Sequence, residues 1–380
     1  MLFRLFACLL CFAVVQPLRA ATPPEEIAPV PVVMLVDTGS GRVLVERKPG
    51  LRFIPASMTK VMTAYVAFEE MAAGRLSPDR RFAVKPETAK LWNAKGTSMY
   101  LLPSDQPTTH DLLRGIMTGS ANDAAIVLAE GYAGSVPAWT FLMNDSAKKL
   151  GMTNSHFNTP NGWPDKGKTY VSARDLVTLG TAMLRRFPNL YRTYSGKLDY
   201  EWNRHMLYSH DPVTNVVEGA DGIKTGFTRE AGYNFLGSAE RDGRRLVMVV
   251  AGAKTDSQRM AASRALLEWG FAEWAKRPLF GAGERVGSAR VQDGAEQSVA
   301  LAVGRETYAT VDASGGEKIV LKIAYRGPLR APIAKGAKVA DLVIKVGDAK
   351  PGRVPLYTAD AVAKAGPMDR LRNGLMTLFR

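Results

Sequence analysis

Ser57 and Lys60 stand three residues apart in Pro55-Ala56-Ser57-Met58-Thr59-Lys60, and the apolar run Val61 to Ala73 follows them. On a helix this spacing stacks the hydroxyl and the amine on one face. The pair is a candidate nucleophile with its own base, in which the amine takes the proton as the hydroxyl attacks a carbonyl. Burial and a positive helix end both favour the neutral amine that this requires, and the same helix end favours an oxyanion beside Ser57. A purely structural role is the alternative, because serine is a common helix N-cap. The spacing also recurs at Ser146-Ala147-Lys148-Lys149, but there the lysines precede Gly151, the pattern of a solvated helix C-terminus.

Two more stretches carry polar groups at structural transitions. Thr118-Gly119-Ser120-Ala121-Asn122 lies on a turn before a helical stretch, where Ser120 on its own reads as an N-cap. Lys224-Thr225-Gly226, just after Asp221-Gly222-Ile223, closes a strand. An edge strand there offers unpaired N–H and C=O groups to an extended peptide, with a hydroxyl from Thr225 and a charge from Lys224.

The elements that must carry these groups follow from periodicity. Pro55 suits a helix start and Gly74 its end, and Val61, Met62, Tyr65, Val66, Phe68 and Met71 surround the cylinder, so the Ser57 helix is expected inside a domain. Val30 to Asp37 and Arg42 to Glu46 read as a hairpin before it. Helices are expected over Thr109 to Met117, Ala121 to Tyr132, Pro137 to Leu150 and Ala173 to Arg185, with a mostly helical pattern to about Thr214. Strands follow over Gly222 to Gly226, Tyr233 to Arg241 and Arg245 to Ala251, then a helix from Ser257 to Trp274. A helical block between two early and three late strands implies an α+β domain, one antiparallel sheet covered by helices. Beyond residue 279 the short β runs Ser298 to Val303, Tyr308 to Val311, Lys318 to Tyr325 and Lys338 to Val346 imply a small β-sandwich over 279–366. The last stretch, 367–380, sets Met368, Leu371, Leu375, Met376, Leu378 and Phe379 against Arg370, Arg372 and Asn373. It reads as an amphipathic helix lying in a membrane interface, with docking on the protein body as the alternative.

The 380-residue chain has a formal charge of +14, which suits an anionic surface or polymer. Residues 1–20 have the layout of a secretory signal, which places the 21–278 domain and all that follows outside the cytoplasm. Both cysteines, Cys8 and Cys11, fall within that signal, so disulfides, cysteine nucleophiles and cysteine-rich metal sites are excluded from the mature chain. Four histidines without metal-ligand spacing give no reason to expect a metal or other cofactor, and no nucleic-acid motif is present.

Ser-x-x-Lys, Ser-x-Asn and Lys-Thr-Gly, in this order and about 60 and 100 residues apart, form the signature set of penicillin-binding proteins and serine β-lactamases. With its hairpin, helical insert, three late strands, trailing β-domain and amphipathic tail, the chain resembles the low-molecular-mass D-alanyl-D-alanine carboxypeptidases of the bacterial cell envelope. The resemblance implies that Ser57 is acylated and Lys60 accepts its proton, that Ser120 relays a proton to the leaving amine, and that Asn122 holds the substrate's amide. Lys224 would tune these groups, Thr225 and Gly226 would bind the peptide, and the backbone N–H groups of Ser57 and Phe227 would hold the oxyanion. In similar enzymes an arginine at the position of Arg259 faces the substrate's terminal carboxylate, which suits a guanidinium, although an exposed helix arginine is the simpler reading. The implied partners are a peptidoglycan stem peptide ending in D-Ala-D-Ala and β-lactams as covalent inhibitors, on the periplasmic side of the inner membrane.

Rival readings remain on the same fold. Class A β-lactamases carry Ser-Asp-Asn and a glutamate four residues before an asparagine between the second and third motifs. Here the middle residue is Ala121 and no such pair occurs. D,D-endopeptidases share the chemistry but tend to lack the trailing β-domain. A non-catalytic peptidoglycan-binding protein is the remaining alternative.

Overall fold

The computed structural model describes residues 21–370; the expected secretory signal and most of the expected tail helix lie outside them. The hairpin β1 (Val32–Asp37) and β2 (Arg42–Arg47) enters α1 (Thr59–Ala72) through a 3-10 turn over Ala56–Met58. Then come α2 (Pro86–Trp92), α3 (Thr109–Met117), α4 (Asn122–Ala133), α5 (Val136–Leu150), α6 (Ala173–Arg186) and α7 (Pro188–Tyr194). A small hairpin, β3 (Asp199–Trp202) with β4 (His205–Tyr208), precedes the long strands β5 (Ala220–Thr228), β6 (Gly232–Arg241) and β7 (Arg244–Ala253), and α8 (Asp256–Ala272) follows.

These form one antiparallel sheet in the order β2-β1-β7-β6-β5. Its central strands are apolar on both sides because both faces are covered. Val32, Met34 and Val36 of β1 join the core shared with α1 and the inserted helices, whereas Val33 and Leu35 join the core shared with α8. The ten residues Thr59 to Phe68 of α1 are all buried, so the Ser57 helix is the axis of the helical block. The sheet order leaves β5, which carries Lys224, Thr225 and Gly226, at the edge.

The second domain holds β8 (Trp274–Phe280), β9 (Arg285–Gln292), β10 (Ser298–Val303), β11 (Thr307–Asp312), β12 (Ile319–Ala324), β13 (Leu329–Arg330), β14 (Lys338–Val346) and β15 (Gly352–Thr358). Six of these make a sheet, β12-β14-β15-β10-β9-β13, and β8 pairs with β11. Polar contacts join it to the first domain. The Tyr308 hydroxyl donates to Asp37 at 2.8 Å, Ser40 and Thr310 share a hydrogen bond of 2.6 Å, and Arg42 pairs with Glu317 at 3.0 Å.

Several elements differ from expectation. The stretch before Thr214 is not helical throughout, because β3 and β4 are a solvated hairpin whose outward residues hide its alternation. The short α2 and α7 each begin on a proline at the first helical turn, which reads in sequence as a loop. The expected boundary at residue 279 falls inside β8, whose Pro278 is accommodated in a two-stranded pair. Of the tail, 367–370 is helical with Met368 exposed, and the remainder lies outside the described residues.

Candidate active site

Ser57 sits in the 3-10 turn that opens α1, and no side-chain cap bond is formed there. Lys60, one turn on, is fully buried. Its Nζ lies 3.0 Å from Ser57 Oγ, 2.8 Å from Asn122 Oδ1 and 2.7 Å from the Asn161 carbonyl. Asn122 Nδ2 donates to the Lys95 carbonyl at 2.9 Å, which fixes the amide so that its oxygen faces the amine. Burial, followed by the charge of Lys224, holds Lys60 well below the usual lysine range; Asp123 opposes this more weakly.

The chemistry of the three partners then matters. A neutral amine has two N–H donors and one lone pair. Asn122 Oδ1 and the Asn161 carbonyl can only accept, so they occupy both N–H groups and the lone pair is left for the Ser57 hydroxyl. This is the arrangement that proton abstraction from Ser57 needs.

Ser120 is buried at the end of the α3–α4 turn, with φ of 58°. It does not cap α4; that position belongs to Ala121, which makes no side-chain bond. The turn is pinned from below. Asp123 accepts from Ser98 Oγ at 2.7 Å and from the backbone N–H groups of Met99 and Leu101, and Thr97 Oγ1 donates to the Ser120 carbonyl at 2.6 Å.

Lys224 and Arg259 are each 4% exposed. Burial, then the charge of Arg259, lowers Lys224 to about 7. Arg259 is not the exposed helix arginine of the simpler reading. It pairs with Asp256, donates to the His210 carbonyl at 3.3 Å and leaves its buried Nε without a partner. Burial and the charges of Lys224 and Arg259 lower His210 in turn.

Close backbone approach assembles these groups. A Cβ on Gly226 would stand 2.4 Å from the Pro55 carbonyl, and one on Gly162 only 1.8 Å from the Ala56 carbonyl. Gly226 therefore lets β5 lie against the Ser57 turn, and Gly162 lets the 159–163 turn deliver the Asn161 carbonyl to Lys60. Between β5 and the α3–α4 turn opens a cleft of about 540 Å³, lined by Ser57, Ser120, Asn122, Thr225, Phe227 and Arg259 among others. Lys60 and Lys224 lie beneath its floor.

The structure thus brings together Ser57, Lys60, Ser120, Asn122, Lys224, Thr225, Gly226 and Arg259. Ser146 lies apart on α5, donating to Glu69 at 2.6 Å, and Lys149 is exposed and paired with Asp145 at 2.5 Å. Sequence reasoning missed Asn161, Asp123 and the Lys95 carbonyl. The Asn161-Gly162 pair was a turn signal that gave no hint of its target. Among the described residues no cluster of three potential metal ligands occurs, and no helix is long and apolar enough to cross a membrane.

Residues 19–255 match the model of the S11 peptidases, described as D-alanyl-D-alanine carboxypeptidase, and residues 274–364 match that of the penicillin-binding protein 5 C-terminal domain. The chain is 32% identical to the D-alanyl-D-alanine carboxypeptidase DacD of Salmonella typhimurium, over 97% of each chain. Among solved structures it resembles penicillin-binding protein 5 of Haemophilus influenzae, with a TM-score of 0.73 at 29% identity over 92% of this chain and all of the other. Penicillin-binding protein D2 of Listeria monocytogenes, solved in an ampicillin-bound form, is 30% identical with a TM-score of 0.58, over 64% of this chain and 98% of its own.

Proposed function

The chain belongs to the S11 family of D-alanyl-D-alanine carboxypeptidases, and on that premise we propose how its residues carry the reaction. The protein is a serine-type carboxypeptidase that removes the terminal D-alanine from peptidoglycan stem peptides. The single observation that carries the assignment of roles is the buried Lys60 Nζ, 3.0 Å from Ser57 Oγ and held by two acceptor-only oxygens, Asn122 Oδ1 at 2.8 Å and the Asn161 carbonyl at 2.7 Å.

Ser57 attacks the carbonyl between the two D-alanines as its proton passes to Lys60. The oxyanion is held by the backbone N–H groups of Ser57 and Phe227. Lys60 returns the proton through Ser120 to the leaving amine, D-alanine departs, and water hydrolyses the ester at Ser57. Asn122 holds the substrate's amide while it fixes Lys60. Thr225 and the edge of β5 align the peptide, with Gly226 giving that strand its place. Arg259 receives the terminal carboxylate, and Lys224 supplies positive charge that keeps Lys60 neutral. A β-lactam enters by the same attack and remains on Ser57, as the ampicillin-bound relative suggests.

Residues 1–20 would direct export, the peptidase domain would run from residue 21 to the end of α8, and the β-domain would follow from β8 to about residue 366. The 367–380 helix would rest the protein on the outer face of the inner membrane, its apolar side in the lipid and its arginines at the head groups. Release of D-alanine from diacetyl-Lys-D-Ala-D-Ala tests the reading: it should vanish in Ser57→Ala and persist in Ser146→Ala. Binding of peptidoglycan without release in the unaltered protein would contradict it.

A further inference from the structure

A second cavity, of about 730 Å³, lies at the seam of the two domains, away from the Ser57 cleft. Its first-domain wall includes Thr38, Arg185, Arg192 and Arg245; Arg305 and Tyr357 come from the second. Volumes of this order accommodate a small organic ligand.

The charges on these walls are out of balance. Arg245 is satisfied by Asp221 and Glu240. Among the described residues no carboxylate pairs with Arg185, Arg192 or Arg305, and the nearby Asp37 is committed to Arg244 at 2.8 Å and to Tyr308. Arg185 and Arg305 instead both donate to one acceptor, the Thr38 carbonyl, the latter at 2.8 Å. Two donors on one oxygen stand within about 6 Å of each other. Burial, then the facing Arg305, lowers Arg185 to about 10. Two adjacent guanidiniums without a counter-ion, one from each domain, face a cavity large enough to supply one.

We propose that this cavity binds a soluble phosphate monoester, whose oxyanion bridges Arg185 and Arg305 and so links the two domains. A phosphate monoester carries about two negative charges at neutral pH, enough for both guanidiniums, whereas a carboxylate carries one. The planar guanidinium fork suits such an oxyanion. A lipid would need an apolar approach, and none of the lining residues is an exposed large apolar side chain.

The test is thermal unfolding of the full chain with glycerol phosphate or inorganic phosphate, against acetate and chloride at matched ionic strength. A saturable rise in melting temperature is expected with both phosphates and not with acetate. Half-saturation should move at least tenfold higher in Arg185→Gln and in Arg305→Gln. Glutamine keeps a donor for the Thr38 carbonyl, and penicillin labelling of each variant at the unaltered rate shows that the fold is intact. No response of the unaltered protein, an equal response to acetate, or a response that both variants keep would overturn the proposal. Phosphatidylglycerol vesicles serve as the lipid arm: sedimentation that Arg305→Gln abolishes, without any response to soluble phosphate, would overturn it too.

Discussion

Replacing Asn122 by aspartate probes the protonation state on which the mechanism depends. Asn122 Oδ1 lies 2.8 Å from Lys60 Nζ, and both side chains are buried. A carboxylate at that distance, with an effective dielectric constant of about 20, favours the ammonium by about 6 kcal/mol, or about four pK units. The lone pair that faces Ser57 is then occupied by a proton. If the new carboxyl is itself protonated, its O–H takes the same lone pair, so the base is lost either way. The assay is the second-order rate of acylation by a fluorescent penicillin across pH, with Asn122→Ala as the control that removes the contact without adding charge. Asn122→Asp should acylate at least about 100-fold more slowly than the alanine variant at pH 7 and recover as pH rises, because the fraction of neutral amine grows tenfold per unit. Equal rates and superimposable pH profiles for the two variants would refute the reasoning, since Lys60 would then not be the proton acceptor.

Gly162→Ala should lower acylation about 100-fold with little loss of secondary structure, because its φ of 74° and the 1.8 Å approach to the Ala56 carbonyl force the Asn161 and Ser57 turns apart; stopped-flow acylation beside circular dichroism checks this. Lys224→Met should raise stability at pH 7 by on the order of 2–4 kcal/mol in urea unfolding. Lys224 is depressed to about 7 from an ordinary 10.5, so between those values the unfolded chain binds more protons. The unaltered protein therefore gains stability from this group as pH rises from about 7 to 10.5, and the variant should lack that slope. Arg259→Gln should lower kcat/KM about 10- to 100-fold for a peptide ending in a free carboxylate and much less for its C-terminal amide, the loss expected of one charge-assisted hydrogen bond.

The parts of the site that follow from local spacing were legible in the sequence. The Ser57–Lys60 pair needs only helical geometry, and α3 and α5 fall within a residue of their expected bounds, whereas α1 begins at Thr59, after a 3-10 turn, rather than at Pro55. That a strand carries Lys224 followed from the change of pattern after about Thr214, and the sheet order places that strand at the edge, as a peptide-binding rail requires. What could not be read is whatever depends on close approach of distant backbone. The Asn161 carbonyl reaches Lys60 only because Gly162 lacks a side chain against Ala56, and no local signal connects residues 101 positions apart. Asp123 stands in the first turn of α4, where an acid needs no further reason, yet its oxygens are spent on the 98–101 loop. The burial of Arg259 was likewise hidden, since α8 carries polar residues on every side and a helix arginine is usually solvated. In the second domain β9 and β15 escaped notice because charged outward residues and Pro355 interrupt their alternation.

The central claim is that Ser57, served by Lys60, is the group that becomes acylated. It is tested most directly by trapping the protein with penicillin, digesting it and locating the added mass. The adduct should fall on the peptide containing Ser57, in a one-to-one ratio, and should be absent from Lys60→Ala on the same timescale. An adduct on Ser146 or any other residue, or undiminished acylation without Lys60, would contradict it.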